Sequence, residues 1–231
     1  MPKIIAAILL SIGIALGGYF VSYGIMESRK PIRTVQVKGL AERVVKSDQA
    51  IWTLNFKLVN NQLPELYQNL SQTQKKIQAF LVQEGFKAQE MNMNPVTVTD
   101  NQSVNYNQNQ NLPRYSADAG LTVSTMDVDK VTKSMQKTGA LVEQGIVLTT
   151  SSVMYRFNGL NDIKPEMLTD ATDSANEAAQ SFATNSKSQL GDIRRATQGL
   201  FTISDANSNY DSGNDVMKKV RVVTTVEYNL H

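Results

Sequence analysis

Residues Ile4 to Met26 read IIAAILLSIGIALGGYFVSYGIM and contain no charged side chain. A helix over that run, rising 1.5 Å per residue, would be roughly 30 Å long or slightly more, enough to cross a hydrocarbon core. A cleaved secretory signal would carry a shorter apolar region of roughly 7–15 residues and a small-x-small exit. Here the run ends in Tyr23, Ile25 and Met26 before Glu27, without an A-x-A pattern. A retained anchor is therefore expected, with a cleaved signal as the alternative. The predicted organisation is a tail over residues 1–3, an anchor over 4–26, a juxtamembrane linker over 27–33 and one folded body over 34–231. Lys3 precedes the span and Arg29, Lys30 and Arg33 follow it, so a bare count of basic residues would put the body on the cytoplasmic side. An N-terminal apolar segment also acts as a signal-anchor, which argues for export.

Composition removes several kinds of chemistry. The chain has no cysteine and a single histidine, His231, so Ser–His and Cys–His nucleophiles and histidine-built metal sites lack their parts. Neither G-x-G-x-x-G after a strand nor a P-loop occurs, which leaves nucleotide binding unsupported. Lys plus Arg number 23 against 21 Asp plus Glu, a net charge of +2 that is too balanced for nucleic-acid binding as the main activity. No catalytic residue, cofactor or metal is expected. Carboxylates brought together only by folding are the one enzymatic route left open.

Along the body, Thr34 to Gly39 alternates as a short strand, with Ala41 to Lys46 as its possible returning partner. In Gln49 to Val59, Trp52, Leu54, Phe56 and Leu58 share one face, the period of a half-buried strand. Pro64 then fits a helix's first turn, and Leu63, Leu66, Leu70, Ile77 and Phe80 follow at helical spacing until Gly85. A strand is predicted over Lys87 to Thr99, with Pro95 forcing an edge or bulge. The next is Arg114 to Thr125. Asp127 should cap a helix whose stripe is Val128, Val131, Met135 and Val142. A strand over Ile146 to Phe157 changes phase near Thr149 to Ser152, as a bulge would make it. This order of strand, helix, strand, strand, helix, strand is that of a ferredoxin-like βαββαβ core. A long helix should start after Ile163 and run to about Leu190, with Met167, Ala171, Ala175, Ala178 and Phe182 as its stripe. Strands over Arg194 to Ser204 and Met217 to Leu230 then require Thr34–Lys46 as partner. The fold class expected is α+β: an N-terminal transmembrane helix, the ferredoxin-like core and a second α+β layer.

Three stretches are candidates for function. Asp205, Asn207, Asn209 and Asp211 alternate like the opening of a calcium loop. Tyr210 stands where glycine is required, however, and Val216 where the bidentate Glu should be, so a polar turn is the expectation. The Asn/Gln-rich segment Asn101 to Pro113 should form a long loop, and Asn105, Tyr106, Asn107, Gln108 and Asn109 are its candidate interface residues. Within the anchor, Gly13 and Gly17 form a small-xxx-small pair, and Ala7, Ser11 and Ala15 a second ridge. Such faces let membrane helices approach closely.

The stretches TVQVKGLAERVVKSDQA, RYSADAGLTVS and DATDSANEAAQSFA…LGDIRRATQGLFTIS together resemble the SIMPL-domain family of bacterial envelope proteins. The resemblance covers roughly Arg33 to Leu230 and rests on element order and diffuse positions. Asp170-Ala171-Thr172-Asp173-Ser174-Ala175 keeps the family's helix alanines but not its basic residues, and Tyr115-Ser116-Ala117-Asp118-Ala119 replaces its Tyr-Arg-Ala-Ser-Asn pattern. The family includes periplasmic proteins linked to oxidative-stress defence and one that forms a ring-like oligomer. The resemblance therefore implies an inner-membrane protein with a periplasmic body, self-associating, with a structural or protective role. Its expected partners are the lipid bilayer, copies of itself and other envelope proteins. A module that captures other envelope polypeptides is the alternative.

Overall fold

The computed structural model describes residues 12–23, 33–104 and 113–231. Residues 12–23 form helix α1. The chain then divides into two units, one comprising Ala41–Asp170 with Leu200–Val222, the other Ala171–Gly199, Val223–His231 and the chain up to Leu40.

The first unit is built on a five-stranded antiparallel sheet of β2 (Gln49–Asn60), β3 (Met91–Met93), β4 (Thr97–Asp100), β5 (Tyr115–Thr125) and β6 (Leu148–Arg156). Its order is β3-β5-β2-β6, with β4 also on β5. With β3 and β4 taken as one interrupted strand, this is the ferredoxin-like order expected from the element sequence. Helices α2 (Leu63–Gln83), α4 (Val128–Met135) and α5 (Gly139–Glu143) supply the apolar cover. Trp52, Leu54 and Phe56 of β2, Leu121 and Val123 of β5, and Leu66, Ile77 and Leu81 of α2 are buried in one core. That arrangement follows from the two periods: alternate strand residues and a 3.6-residue helical stripe meet on one side of the sheet. Gly85 ends α2 at φ +89°, a backbone region that side chains with a Cβ adopt at a cost. Asp127 accepts a hydrogen bond from the Lys130 N–H at 3.0 Å, the predicted cap of α4.

Several predicted elements are corrected. The strand over Lys87 to Thr99 is interrupted at Asn94–Val96, around Pro95, leaving β3 and β4. Asn101–Val104 forms a single helical turn, α3, before the Asn/Gln-rich segment. The helix after Asp127 breaks between Met135 and Gly139, so Leu141 enters the core while Val142 is exposed. The expected bulge does occur: pairing of β2 with β6 shifts between Asn55 and Phe56, skipping Thr149.

β1 (Thr34–Lys46), β7 (Leu190–Gln198), β8 (Thr202–Asp205) and β9 (Met217–Leu230) make the second sheet, in the order β1-β9-β7 with β8 also on β9. β1 is one continuous strand, and no reversal occurs at Gly39. The glycine is there for another reason. A Cβ on Gly39 would fall 1.8 Å from the Ala171 carbonyl oxygen and 2.5 Å from the Ala175 nitrogen of α6 (Leu160–Asn185). The helix lies directly on the strand, and only hydrogen fits between them.

Small residues on α6 make that approach possible, as the sequence suggested. Ala171, Ala175, Ala179 and Ala183 are fully buried at four-residue steps, continuing from Met167. The predicted stripe drifts off this face: Ala178 is only half-buried and Phe182 is 60% exposed. Val37, Val226 and Tyr228 pack against Ala175 and Ala179 in the core of the second unit.

Among the described residues, no helix is long and apolar enough to cross a membrane. Helix α1 covers only the middle of the predicted anchor. Residues 4–11 and 24–26 of it lie outside the described residues.

Candidate functional site

Of the predicted association residues, Gly13, Ala15 and Gly17 lie on α1 and are exposed. A Cβ at Gly13 or Gly17 would meet nothing within 4 Å, so no described part of the chain uses these small residues for close packing. Ala7 and Ser11 lie outside the described residues, as do Asn105, Tyr106, Asn107, Gln108 and Asn109.

The strongest polar constellation is in the turn between β8 and β9. Lys218 is completely buried, and its ammonium group donates to Asp205 Oδ1 at 2.5 Å and Asp211 Oδ1 at 2.6 Å. Asp205 Oδ2 accepts from the Ser212 N–H at 2.9 Å and the Ser212 hydroxyl at 2.5 Å. The charged hydrogen bond from Lys218, reinforced by Ser212, holds the Asp205 carboxyl below the usual carboxylate range. Burial opposes the charge on Lys218, but its bonds to Asp205 and Asp211 outweigh that cost and move its pKa upward. Lysine and aspartate thus stay ionised as a pair. A protonated lysine has no lone pair with which to act as base or nucleophile.

The two carboxylates of the run that resembles a calcium loop therefore surround an internal cation supplied by the chain. The sequence held a signal for this. Lys218 has the same strand phase as Val220, Val222 and Val226, and a lysine in the apolar phase of a strand needs a buried anion. The turn is held further by Tyr155 N–H to Gly213 O at 2.6 Å and Ser47 N–H to Val216 O at 2.8 Å. Among the described residues, no group of three or more His, Asp or Glu side chains is placed to hold a metal.

A second constellation lies on the sheet face opposite the core of the first unit. Asn94 Nδ2 donates to Asn55 Oδ1 at 3.3 Å, and the Thr122 hydroxyl donates to Asn94 Oδ1 at 2.9 Å. Asn55 and Asn94 border a cleft of about 350 Å³ whose lining also includes Thr97, Asp118 and Thr150. Lys57 forms an ion pair with Asp118 at 3.3 Å. A neighbouring cleft of about 320 Å³ is lined by Ile51, Thr53, Ser152, Met154, Arg156 and Asn214. Both surfaces offer hydrogen-bond donors and acceptors on a rigid sheet. Periodicity places these residues on the polar face but cannot show that strand pairing and the chain at Pro95 gather them around one cleft.

Comparison with known proteins yields one assignment. The family model SIMPL, described as "Protein of unknown function (DUF541)", matches residues 35–228. No curated protein matches the chain.

Proposed function

The chain belongs to the SIMPL family, and on that basis we propose that it is a membrane-held envelope protein that assembles with copies of itself and has a structural or protective, non-catalytic role. The observation that carries this reading is the exposure of α1. Ile12, Ile14, Leu16, Phe20 and Val21 are between 50% and 68% exposed on a helix with no covering partner among the described residues. An uncharged helix that is apolar around its circumference is stable when lipid or other protein surrounds it. Each large apolar side chain it hides gains roughly 1 kcal/mol or more.

The twelve described positions of α1 would rise about 18 Å, short of a bilayer's hydrocarbon core. The sequence on both sides, Ile4 to Ser11 and Gly24 to Met26, is also uncharged, so the apolar run as a whole has the length a bilayer span requires. Gly13 and Gly17 then offer a close-approach ridge to a second span. The aromatic rings of Tyr19 and Tyr23 stack at 6.4 Å, consistent with an aromatic girdle near one membrane surface.

The full chain should sediment with membranes, resist alkaline carbonate and show an oligomeric mass in mild detergent. A form beginning at Arg33 should remain in the soluble fraction. Quantitative recovery of the full chain as a soluble species would overturn the anchor, and a monomeric mass in mild detergent would overturn self-assembly.

A second reading is supported by the sheet face bearing Asn55, Asn94 and Thr122. Its half-buried amides and hydroxyl, linked to one another on a cleft-bearing sheet face, suit a module that captures other envelope polypeptides. Co-purification of one different protein in fixed ratio, lost on Asn94→Ala, would favour this role over self-assembly.

A further inference from the structure

We propose that β1 is the surface through which two copies join, pairing antiparallel with its own equivalent about Leu40; this rests on the self-assembly reading above and names its contact. β1 stands at an edge of its sheet and is 13 residues long without proline. Other edges are less available. On β6, the Tyr155 N–H is bonded to Gly213 O at 2.6 Å, a far shorter bond than the 3.4 Å one that the Leu40 N–H of β1 makes to Ser174 Oγ. β7 pairs with β9 through two register shifts, and β3 and β4 have three and four residues. A long regular edge with unused main-chain groups readily accepts another strand.

The direction of those groups follows from the pairing with β9. Leu230 N–H donates to Arg33 O, Arg221 forms an ion pair with Glu42, and Ser47 N–H donates to Val216 O, all in one constant register. Odd-numbered residues of β1 therefore turn their main-chain groups to β9, and even-numbered residues turn theirs to the free edge. Side chains alternate across the sheet with the same period of two: Val37, Gly39 and Ala41 are buried, while Gln36, Lys38, Leu40, Glu42 and Val44 are exposed on the opposite face. The Leu40 N–H also avoids β9 and instead lies 3.4 Å from Ser174 Oγ, a long contact that a partner's carbonyl would replace.

Charge selects the register. Centring the pair on Leu40 places each Lys38 opposite a Glu42 of the other copy, Gln36 opposite Val44, and Leu40 opposite Leu40. Centring on Lys38 or Glu42 would oppose like charges. On the other face the same register sets Val35 against Val45, Gly39 against Ala41, and Val37 against Arg43, whose guanidinium is already held by Glu166 and Asp170. Opposite charges and apolar pairs directly across two strands stabilise them, and like charges destabilise them. The occupant of this edge is thus a second copy of the chain, related by a two-fold axis.

The chain's lack of cysteine makes the geometry directly testable. In the full-length protein in mild detergent, Leu40→Cys should form a disulfide-linked dimer on mild oxidation, because directly opposed residues fall within disulfide reach. Gln36→Cys alone should not link, whereas Gln36→Cys with Val44→Cys should. Lys38→Glu should weaken the dimer about tenfold, and Lys38→Glu with Glu42→Lys should restore it. An oligomeric mass without a Leu40→Cys crosslink would overturn this strand pairing alone. A linked Gln36→Cys single variant would overturn its register, and a monomeric mass would overturn both the pairing and the self-assembly on which it rests.

Discussion

Lys218→Met isolates the energetic role of the buried cation. Methionine approximates the length of the lysine stem but removes the ammonium group from Asp205 and Asp211. The Asp205 side chain is 8% exposed and would keep only the two Ser212 donors, whereas Asp211, at 41%, can turn to water. Removing one member of a buried ion pair costs roughly 3–5 kcal/mol, and the donors left on Asp205 place the expected loss near about 3 kcal/mol. For a chain of this size, each kcal/mol shifts the melting midpoint by roughly 2–4 °C, so a fall of about 6–12 °C is expected. Urea unfolding can follow it through Trp52, the only tryptophan, which is buried in the same unit as the cluster. Lys218→Met with Asp205→Asn should recover at least half of the loss, since no uncompensated carboxylate is then buried. The pH dependence has a definite sign. Asp205 is lowered in the fold, so its contribution is complete above its unfolded value near about 3.9 and is lost as pH falls toward the folded value. Lys218 is raised, so its contribution is complete below about 10.4 and is lost as pH rises through the folded value. The stability gap between parent and Lys218→Met should be level between about pH 5 and 9 and narrow below about pH 4. A Lys218→Met loss under about 1 kcal/mol, or a double variant no better than the two single losses added, would refute the reasoning.

Three other substitutions test separate features. Gly39→Ala should destabilise by about 1–3 kcal/mol in urea, because its methyl group would press on the Ala171 carbonyl, and an unchanged midpoint would deny the close helix–strand contact. Asp48→Ala should cost about 1–3 kcal/mol by leaving the Asn158 and Gly159 N–H groups, now 2.8–3.0 Å from its oxygens, without their acceptor; Asp48→Asn should retain part of it. Asp127→Ala should lower stability by about 1 kcal/mol, read as a melting-midpoint fall of roughly 2–4 °C, while Asp127→Ser should remain close to the parent.

Much of the fold is legible where the sequence repeats a clean period. Gln49 to Val59 announces β2 because Trp52, Leu54 and Phe56 share a face, and the ferredoxin-like order follows from the succession of such periods. Errors arise where two explanations share one residue. Gly39 is equally compatible with a turn and with a helix pressed on a strand, and only the position of Ala171 distinguishes them. On α6, alanines at 171, 175, 178, 179 and 183 leave the face ambiguous by one residue, so Phe182 is misplaced inward. The candidate sites depend still more on three dimensions. The run from Asp205 to Asp211 reads as a polar turn, and only strand pairing brings Lys218 between its two carboxylates. Asn55, Asn94 and Thr122 belong to separate stretches whose association requires the sheet register.

The pairing of β1 with β9 has a consequence for biogenesis. β1 finds its partner roughly 200 residues later, so a nascent chain emerging in sequence order holds an unsatisfied strand until β9 has been made. Completion of that sheet is consequently late and slow compared with the local hairpins and helices of the five-stranded unit. The five-stranded unit can therefore take shape early, while β1 keeps its β9-facing groups open until that last strand arrives.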